Sequence, residues 1–181
     1  YESWSEYIKD LMAELFEETP VTLEIASGTG RLSKYLSDKI PNLVISDLSI
    51  QMLKKSSGLP AVCADMTQLP FKPVFDFAFS AFDSVNYLTT KKKFKAFLNS
   101  AAYVIKPDGY LTFDVALERM SRKCLSLLNR TETYKGVEYS QISFFDEEKR
   151  IHYNKFKFKL ENGTIVNEIH KQKIYHLYEY F

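Results

Sequence analysis

The sequence predicts an α/β fold built on a doubly wound, mainly parallel sheet. Five apolar runs recur along it: PVTLEIA (20–26), NLVISDLS (42–49), LPAVCADM (59–66), PVFDFAFSAF (73–82) and KPDGYLTFDVA (106–116). Stretches with apolar residues at helical spacing alternate with these runs, and an acidic residue stands at or near the end of each of the first three. Strands apolar on both faces and separated by helices are what a parallel sheet covered on both sides requires.

Taken in order, residues 4–17 place Tyr7, Ile8, Leu11, Leu15 and Phe16 at helical spacing, which predicts an amphipathic helix lying on a larger body. The first strand follows, then a helix over 29–39 carrying Leu32, Tyr35 and Leu36 and stopped by Pro41. The second strand leads into a helix through Met52 and Leu53. After the third and fourth strands, residues 91–104 form a helix with Phe94, Phe97, Leu98 and Ala101 on one side. Lys91-Lys92-Lys93 reads as the solvated start of that helix. Pro107-Asp108-Gly109 supplies a turn at the fifth strand.

After residue 116 the pattern changes. A helical stretch near Leu117–Leu128 is followed by a segment rich in β-branched and aromatic residues. Turn residues at Asp146–Lys149 and at Asn162-Gly163, the latter with type I′ composition, predict three antiparallel strands at roughly 137–145, 150–160 and 164–177. A slip of the apolar phase between Tyr153 and Phe156 predicts a bulge or twist. Phe144, Phe145, Tyr153, Phe156 and Phe158 are expected mainly to pack this small sheet, with a substrate wall as the functional alternative. The chain thus divides into a core over 1–116 and an insertion over 117–181 within the same domain, serving as a substrate lid or a dimer surface.

A length of 181 residues with 45% hydrophobic residues suits one substantial core. With 24 basic and 23 acidic residues, a net charge of +1 gives no overall electrostatic reason to expect nucleic acid or an anionic membrane as partner. No apolar stretch approaches the ~20 residues of a membrane span and no secretory signal is visible, so a cytoplasmic location is expected. Cys63 and Cys124 lack CxxC spacing, which disfavours a disulfide framework or a zinc site; Cys63 reads as a small buried hydrophobe. His152, His170 and His176 lack ligand spacing, so no metal is expected.

The most informative stretch is TLEIASGTG (22–30). A glycine turn between a parallel strand and the next helix lets backbone approach a ligand closely. The dinucleotide pattern GxGxxG is not met, because position 33 is Ser. Glu24 would repel a pyrophosphate but suits an ammonium, so a ligand with both an amino group and a carboxylate fits better. Asp47, at the end of the second strand, can accept both ribose hydroxyls of a nucleoside. Asp65 can accept from an adenine amine beside the Met66 backbone N–H, with Leu48 and Met52 as apolar walls. A strand-end Asp alone is more often a helix cap; three acids at successive strand ends lie on the edge where such sheets bind ligands.

LEIASGTG, ISDLS, CADM and FDFAFSAFDSVNYL resemble the successive motifs of class I S-adenosylmethionine-dependent methyltransferases, over about residues 20–115. FDSVNYL followed by a β-rich insertion is similar to the bacterial small-molecule branch that includes glycine/sarcosine-type N-methyltransferases. The resemblance implies a Rossmann-like core with S-adenosylmethionine as cofactor. It places Glu24, Ala26, Ser27, Gly28, Thr29 and Gly30 around the methionine part, Asp47 at the ribose, Asp65 and Met66 at the adenine, and Phe82 and Asp83 near the sulfonium. Ala26 stands where the family commonly has its first glycine, and the sixth and seventh strands usual in such enzymes are not found in this sequence.

Methyl transfer from a sulfonium is an in-line displacement in which the protein mainly aligns the reactants and excludes water. Asp83 or Tyr87 would remove or position an acceptor proton, and Asn86 would orient the substrate. The expected partner is a small-molecule amine or hydroxyl, and the aromatic sheet would allow a homodimer. The alternatives are a non-catalytic module that binds S-adenosylmethionine and, less favoured, an NAD(P)-dependent oxidoreductase.

Overall fold

The computed structural model describes residues 1–56, 58–134 and 136–180; the side chain of Cys124 lies outside the described residues. The chain forms two compact units, one of Tyr1–Ser84 with Lys92–Asp114, the other of Val85–Lys91 with the chain from Val115 onward.

The first unit is built on helix α1 (Glu2–Leu15), strand β1 (Thr22–Ile25), α2 (Arg31–Leu36), β2 (Leu43–Asp47), α3 (Ile50–Leu53), β3 (Ala61–Cys63), β4 (Phe75–Ser80), α4 (Lys91–Val104) and β5 (Ile105–Phe113). The strands form one parallel sheet in the order β3-β2-β1-β4-β5. Every residue of the central strand TLEI is buried, as the doubly apolar run requires. Ile8 and Met12 of α1 pack with Leu32 and Leu36 of α2 against Phe77 and Phe79. Phe94 and Phe97 of α4 meet Phe113 edge-on. The chain order reverses between β1 and β4, and an open α/β sheet binds its ligands in the crevice outside the carboxyl ends of the strands at such a point.

Two local expectations need correction in this unit. Pro107-Asp108-Gly109 does not precede β5 but is extruded from it: Phe75 pairs with Ile105 and Phe77 already with Tyr110. Only glycine fits at 109, because a Cβ there would lie 2.7 Å from the Asp76 carbonyl oxygen. Cys63 is exposed rather than buried, since β3 is a three-residue edge strand with little cover; its thiol donates to the Leu48 carbonyl at 3.4 Å.

The second unit contains helix α5 (Glu118–Leu128) and strands β6 (Arg130–Tyr134), β7 (Val137–Asp146), β8 (Ile151–Lys159) and β9 (Ile165–Lys173), in an antiparallel sheet ordered β6-β7-β8-β9. Four strands replace the expected three. β6 escaped the sequence because all five of its residues are exposed and present no apolar alternation. The bulge expected between Tyr153 and Phe156 is also absent: the β7–β8 register runs unbroken from Phe144↔Tyr153 to Gln141↔Phe156. The slip in phase arises because Tyr153 and Phe156 serve opposite faces of the sheet. Tyr153 stacks on Phe144 at 4.8 Å, whereas Phe156 meets His170 edge-on at 5.4 Å.

The β8–β9 connection departs from type I′ as well. Gly163 has φ +82°, but Asn162 is not left-handed, and Leu160 exchanges backbone hydrogen bonds with Thr164 and Gly163 at 2.9 and 2.8 Å. That is a three-residue loop closed by a glycine bulge.

Buried on this sheet, His152 Nε2 lies 2.6 Å from Ser143 Oγ, and desolvation lowers the imidazole pKa below its ordinary 6.5. A base depressed by folding must be neutral to stay buried, so its contribution is present above pH 6.5 and is lost as pH falls through that value. Thermal melts taken at descending pH should show an acid-dependent loss that His152→Gln reduces; identical pH profiles would refute this.

Candidate active site

The chain leaves β1 at Ile25 and turns through Ala26–Gly30 into α2, with Ala26, Gly28 and Gly30 all at positive φ, from +58° to +67°. The two glycines serve different needs. At Gly28 an added Cβ would meet nothing within 4 Å, so the backbone there faces open space. At Gly30 it would lie 3.1 Å from Ser56 Cβ and 3.2 Å from Ile45 Cδ1, so this glycine packs the turn onto its neighbours. Ala26 adopts the same left-handed region with a side chain, a strain of about 1 kcal/mol.

Beside this loop, at the carboxyl ends of β1 and β4, lies a cleft of about 350 Å³. Of the residues expected from sequence, Glu24, Ala26, Ser27, Gly28, Thr29, Met52 and Phe82 line it. Glu24 is only 3% exposed and accepts a hydrogen bond from Ser33 Oγ. Burial pushes its carboxyl pKa up to about 7; the Ser33 bond pulls the other way, and the charge of Asp47 adds to the rise. Ser33 therefore occupies the third-glycine position of the dinucleotide pattern for a positive reason: it serves the buried acid. Ser27 Oγ is buried without a protein hydrogen-bond partner, a state that buried polar atoms rarely keep unless something else satisfies them.

Other expected residues do not line the cleft. Asp47 Oδ2 accepts from the Gly28 N–H at 2.8 Å and its Oδ1 from the Ser49 N–H at 2.7 Å, tying the loop after β1 to the loop after β2. Leu48 is 71% exposed. β3 stops at Cys63, so Asp65 and Met66 lie beyond the strand, where Asp65 Oδ1 accepts from both the backbone N–H and the hydroxyl of Thr67 at 2.8 Å. Strand register nevertheless sets the ends of β1, β2 and β3 side by side, with Ile25 opposite Ser46 and Asp47 opposite Cys63. Tyr87 belongs to the second unit, where its hydroxyl lies 2.9 Å from His170 Nδ1. Asn86 is not free to orient a substrate: its amide donates to the Lys173 carbonyl at 2.7 Å and its oxygen accepts from the Ala116 N–H at 2.8 Å.

The structure adds residues that the sequence did not single out. Arg31 lines the cleft opposite in charge to Glu24, and Tyr1 joins the wall with its ring 4.9 Å from that of Phe82. Trp4 of α1 meets the same Phe82 ring at 5.7 Å. Phe82 and Asp83 hold φ of +61° and +50°, strained values for side-chain-bearing residues that cluster at functional sites. The strain is held by Asp114, just past β5, whose two carboxylate oxygens each accept from the Asp83 N–H at 3.0 Å. Burial raises the pKa of Asp114. A second hollow of about 440 Å³, lined by Lys9, Phe16 and Pro20, lies toward the amino end of β1, the edge such sheets do not use for ligands.

Residues 22–109 match the family described as Methyltransferase domain. The chain is 29% identical over 191 residues to the "Putative methyltransferase YqeM" of Bacillus subtilis (strain 168), covering 99% of this chain and 76% of that protein. A crystal structure of an S-adenosylmethionine-dependent methyltransferase from Clostridium acetobutylicum ATCC 824 superposes with a TM-score of 0.81 at 22% identity, over 99% of this chain and 77% of that one. The sugar N-methyltransferase KedS8 from Streptoalloteichus sp ATCC 53650 superposes with a TM-score of 0.78 at 17% identity, over 97% and 74%. The two structures show the same fold. Residues 22–109 are thus similar to a methyltransferase domain, and the chain has the fold of the solved methyltransferases on which it superposes.

Proposed function

We propose that this enzyme transfers a methyl group to an amine or hydroxyl of a small molecule, and that the cleft at the ends of β1 and β4 holds S-adenosylmethionine. One observation carries the assignment of the cleft: the Glu24 carboxyl and the Arg31 guanidinium share it with the unpartnered Ser27 hydroxyl. Those groups complement a zwitterionic amino acid. Glu24 accepts from the ammonium, Arg31 meets the carboxylate, and the open backbone at Gly28 allows close approach, with Ala26, Thr29 and Gly30 shaping the turn. Asp47 keeps acceptor capacity for ribose hydroxyls beyond its two backbone bonds. Leu48 and Met52 supply apolar contact to the base, and Asp65 with Met66 its polar edge.

Bound there, the cofactor supplies an activated methyl group on a sulfonium. The protein's own part is alignment and exclusion of water. The Phe82 ring, braced by Tyr1 and Trp4 and fixed by the strained turn, offers an aromatic face to positive charge. An amine acceptor must lose a proton before it can take a methyl group, and Asp83, next to Phe82 in the strained turn, is the group that positions or accepts that proton. The name of KedS8 marks a sugar amine as its acceptor, which supports an amine on a small polar molecule here.

The test is calorimetric titration with S-adenosylmethionine and with NAD, then transfer of labelled methyl to a panel of primary amines, amino sugars and alcohols. Binding of S-adenosylmethionine and formation of S-adenosylhomocysteine with at least one acceptor are expected. Binding without turnover on any acceptor would reduce the chain to a cofactor-binding module.

A further inference from the structure

The second unit carries a hollow of about 230 Å³ on one face of its sheet. Alternation along the strands puts Gln141 of β7, Asn154, Phe156 and Phe158 of β8, and Glu168 and His170 of β9 on that face. Tyr87, from the same unit, completes the lining. The rings of Phe156 and Phe158 lie 6.0 Å apart and within 10° of parallel, which makes an apolar wall. The imidazole of His170 is fixed by the Tyr87 hydroxyl, 2.9 Å from its Nδ1, and by Phe156, which meets it edge-on at 5.4 Å. The remaining polar groups are not spent on one another. His170 Nε2 is 3.5 Å from Glu168 Oε2, longer than an ordinary hydrogen bond, so the carboxylate keeps acceptor capacity. Asn154 Oδ1 accepts from Gln141 Nε2 at 3.2 Å, which leaves Asn154 with amide hydrogens to donate. Gln141 itself is only 6% exposed, a polar residue where an apolar one would pack without a desolvation cost.

Charge is segregated across this sheet. Lys155 and Lys157 alternate with the hollow's residues on β8, and Lys171 follows His170 on β9, so all three stand on the opposite face. There Lys155 Nζ lies 4.9 Å from the centre of the Phe144 ring and Lys171 Nζ 5.9 Å from that of Tyr153. Of the residues that line the hollow, Glu168 alone carries a fixed charge. A carboxylate beside aromatic rings, with the strand lysines turned away, favours a cation.

We propose that this hollow is a binding site for a small organic cation, a protonated amine that also carries hydroxyl groups. The ammonium donates to Glu168, a hydroxyl oxygen accepts from the Asn154 amide, and the carbon skeleton lies against Phe156 and Phe158. At 230 Å³ the hollow is smaller than the roughly 300–1,000 Å³ of pockets for drug-sized ligands, so its ligand is of monosaccharide size. The site requires neither the cofactor cleft nor methyl transfer, since every residue that lines it belongs to the second unit.

The experiment titrates the whole protein with glucosamine, and with glucose and N-acetylglucosamine as controls that keep the ring and lack the charge. Binding is followed by the NMR signals of the His170 and Tyr87 rings. Glucosamine should shift those signals in a saturable way and bind about tenfold more tightly than either control. Glu168→Gln should lower the affinity for glucosamine about tenfold and leave that for glucose unchanged, as the loss of one charge-assisted hydrogen bond requires. Glu168 is largely exposed, so the variant should melt like the wild type. Phe156→Leu keeps an apolar side chain without the ring and should weaken glucosamine more than glucose. No saturable shift with glucosamine, equal affinity for glucosamine and its neutral controls, or unaltered glucosamine affinity in Glu168→Gln would each overturn this inference and leave the methyl-transfer reading untouched. A protein that binds glucosamine through Glu168 and fails to bind S-adenosylmethionine would uphold the inference while that reading fell.

Discussion

Glu24→Gln is expected to weaken S-adenosylmethionine binding about 100-fold and to reduce a proton release that accompanies binding in the native protein. The cause is the buried position of this carboxyl, whose pKa is pushed from 4.5 to about 7. A carboxyl raised by folding binds a proton that the unfolded chain has already released. Its contribution to stability is therefore fully present below pH 4.5 and is lost as pH rises through about 7, on the order of 3 kcal/mol in all. An ammonium brought against Glu24 favours the ionised form and expels the proton. Calorimetry just below neutral pH, in buffers of differing ionisation enthalpy, should register up to one proton released by the wild type and fewer by Glu24→Gln. The amide carries no charge, so melting of the variant should also depend less on pH across that window. Equal affinity and equal proton release in the two proteins would remove Glu24 from the cofactor site.

Asp114→Ala should lower cofactor affinity about tenfold and stability by about 2 kcal/mol, although the residue does not line the cleft itself. Two consecutive left-handed residues, Phe82 and Asp83, cost about 1–2 kcal/mol each, and the Asp114 carboxylate offsets that cost by accepting from the Asp83 N–H. Without the acceptor the turn relaxes toward ordinary backbone angles and the Phe82 ring leaves its place beside Tyr1 and Trp4. Asp114→Asn keeps one acceptor oxygen and should fall between the wild type and Asp114→Ala in both measurements. If Asp114→Ala melts and binds like the wild type, the turn is held by something else and Phe82 does not depend on it.

The inner strands β1, β2 and β4 were legible because burial on both faces forces an apolar composition that local sequence records directly. The same holds for α4, which spans residues 91–104 as its periodicity requires. The loop after β1 was legible because positive φ at Gly28 and Gly30 leaves few residue types to choose from. β6 was hidden, since an exposed polar strand is defined by its partner β7 and not by its own residues. The phase of β8 misled for a related reason: one strand carried aromatics for both faces.

The candidate site divides in the same way. Residue types at the strand ends announced Glu24, Asp47 and the glycine turn, because each is demanded by a local geometry. Long-range contacts did not show: Ser33 on Glu24, Asp114 on Asp83, and His170 on Tyr87 across 83 positions of sequence. Sequence by itself determined the buried strands, the amphipathic helices and the glycine turn after β1, since those depend on neighbours a few residues away. Only the tertiary structure decided which side chains meet, because strand pairing and helix packing bring together groups whose separation along the chain carries no sign of their contact.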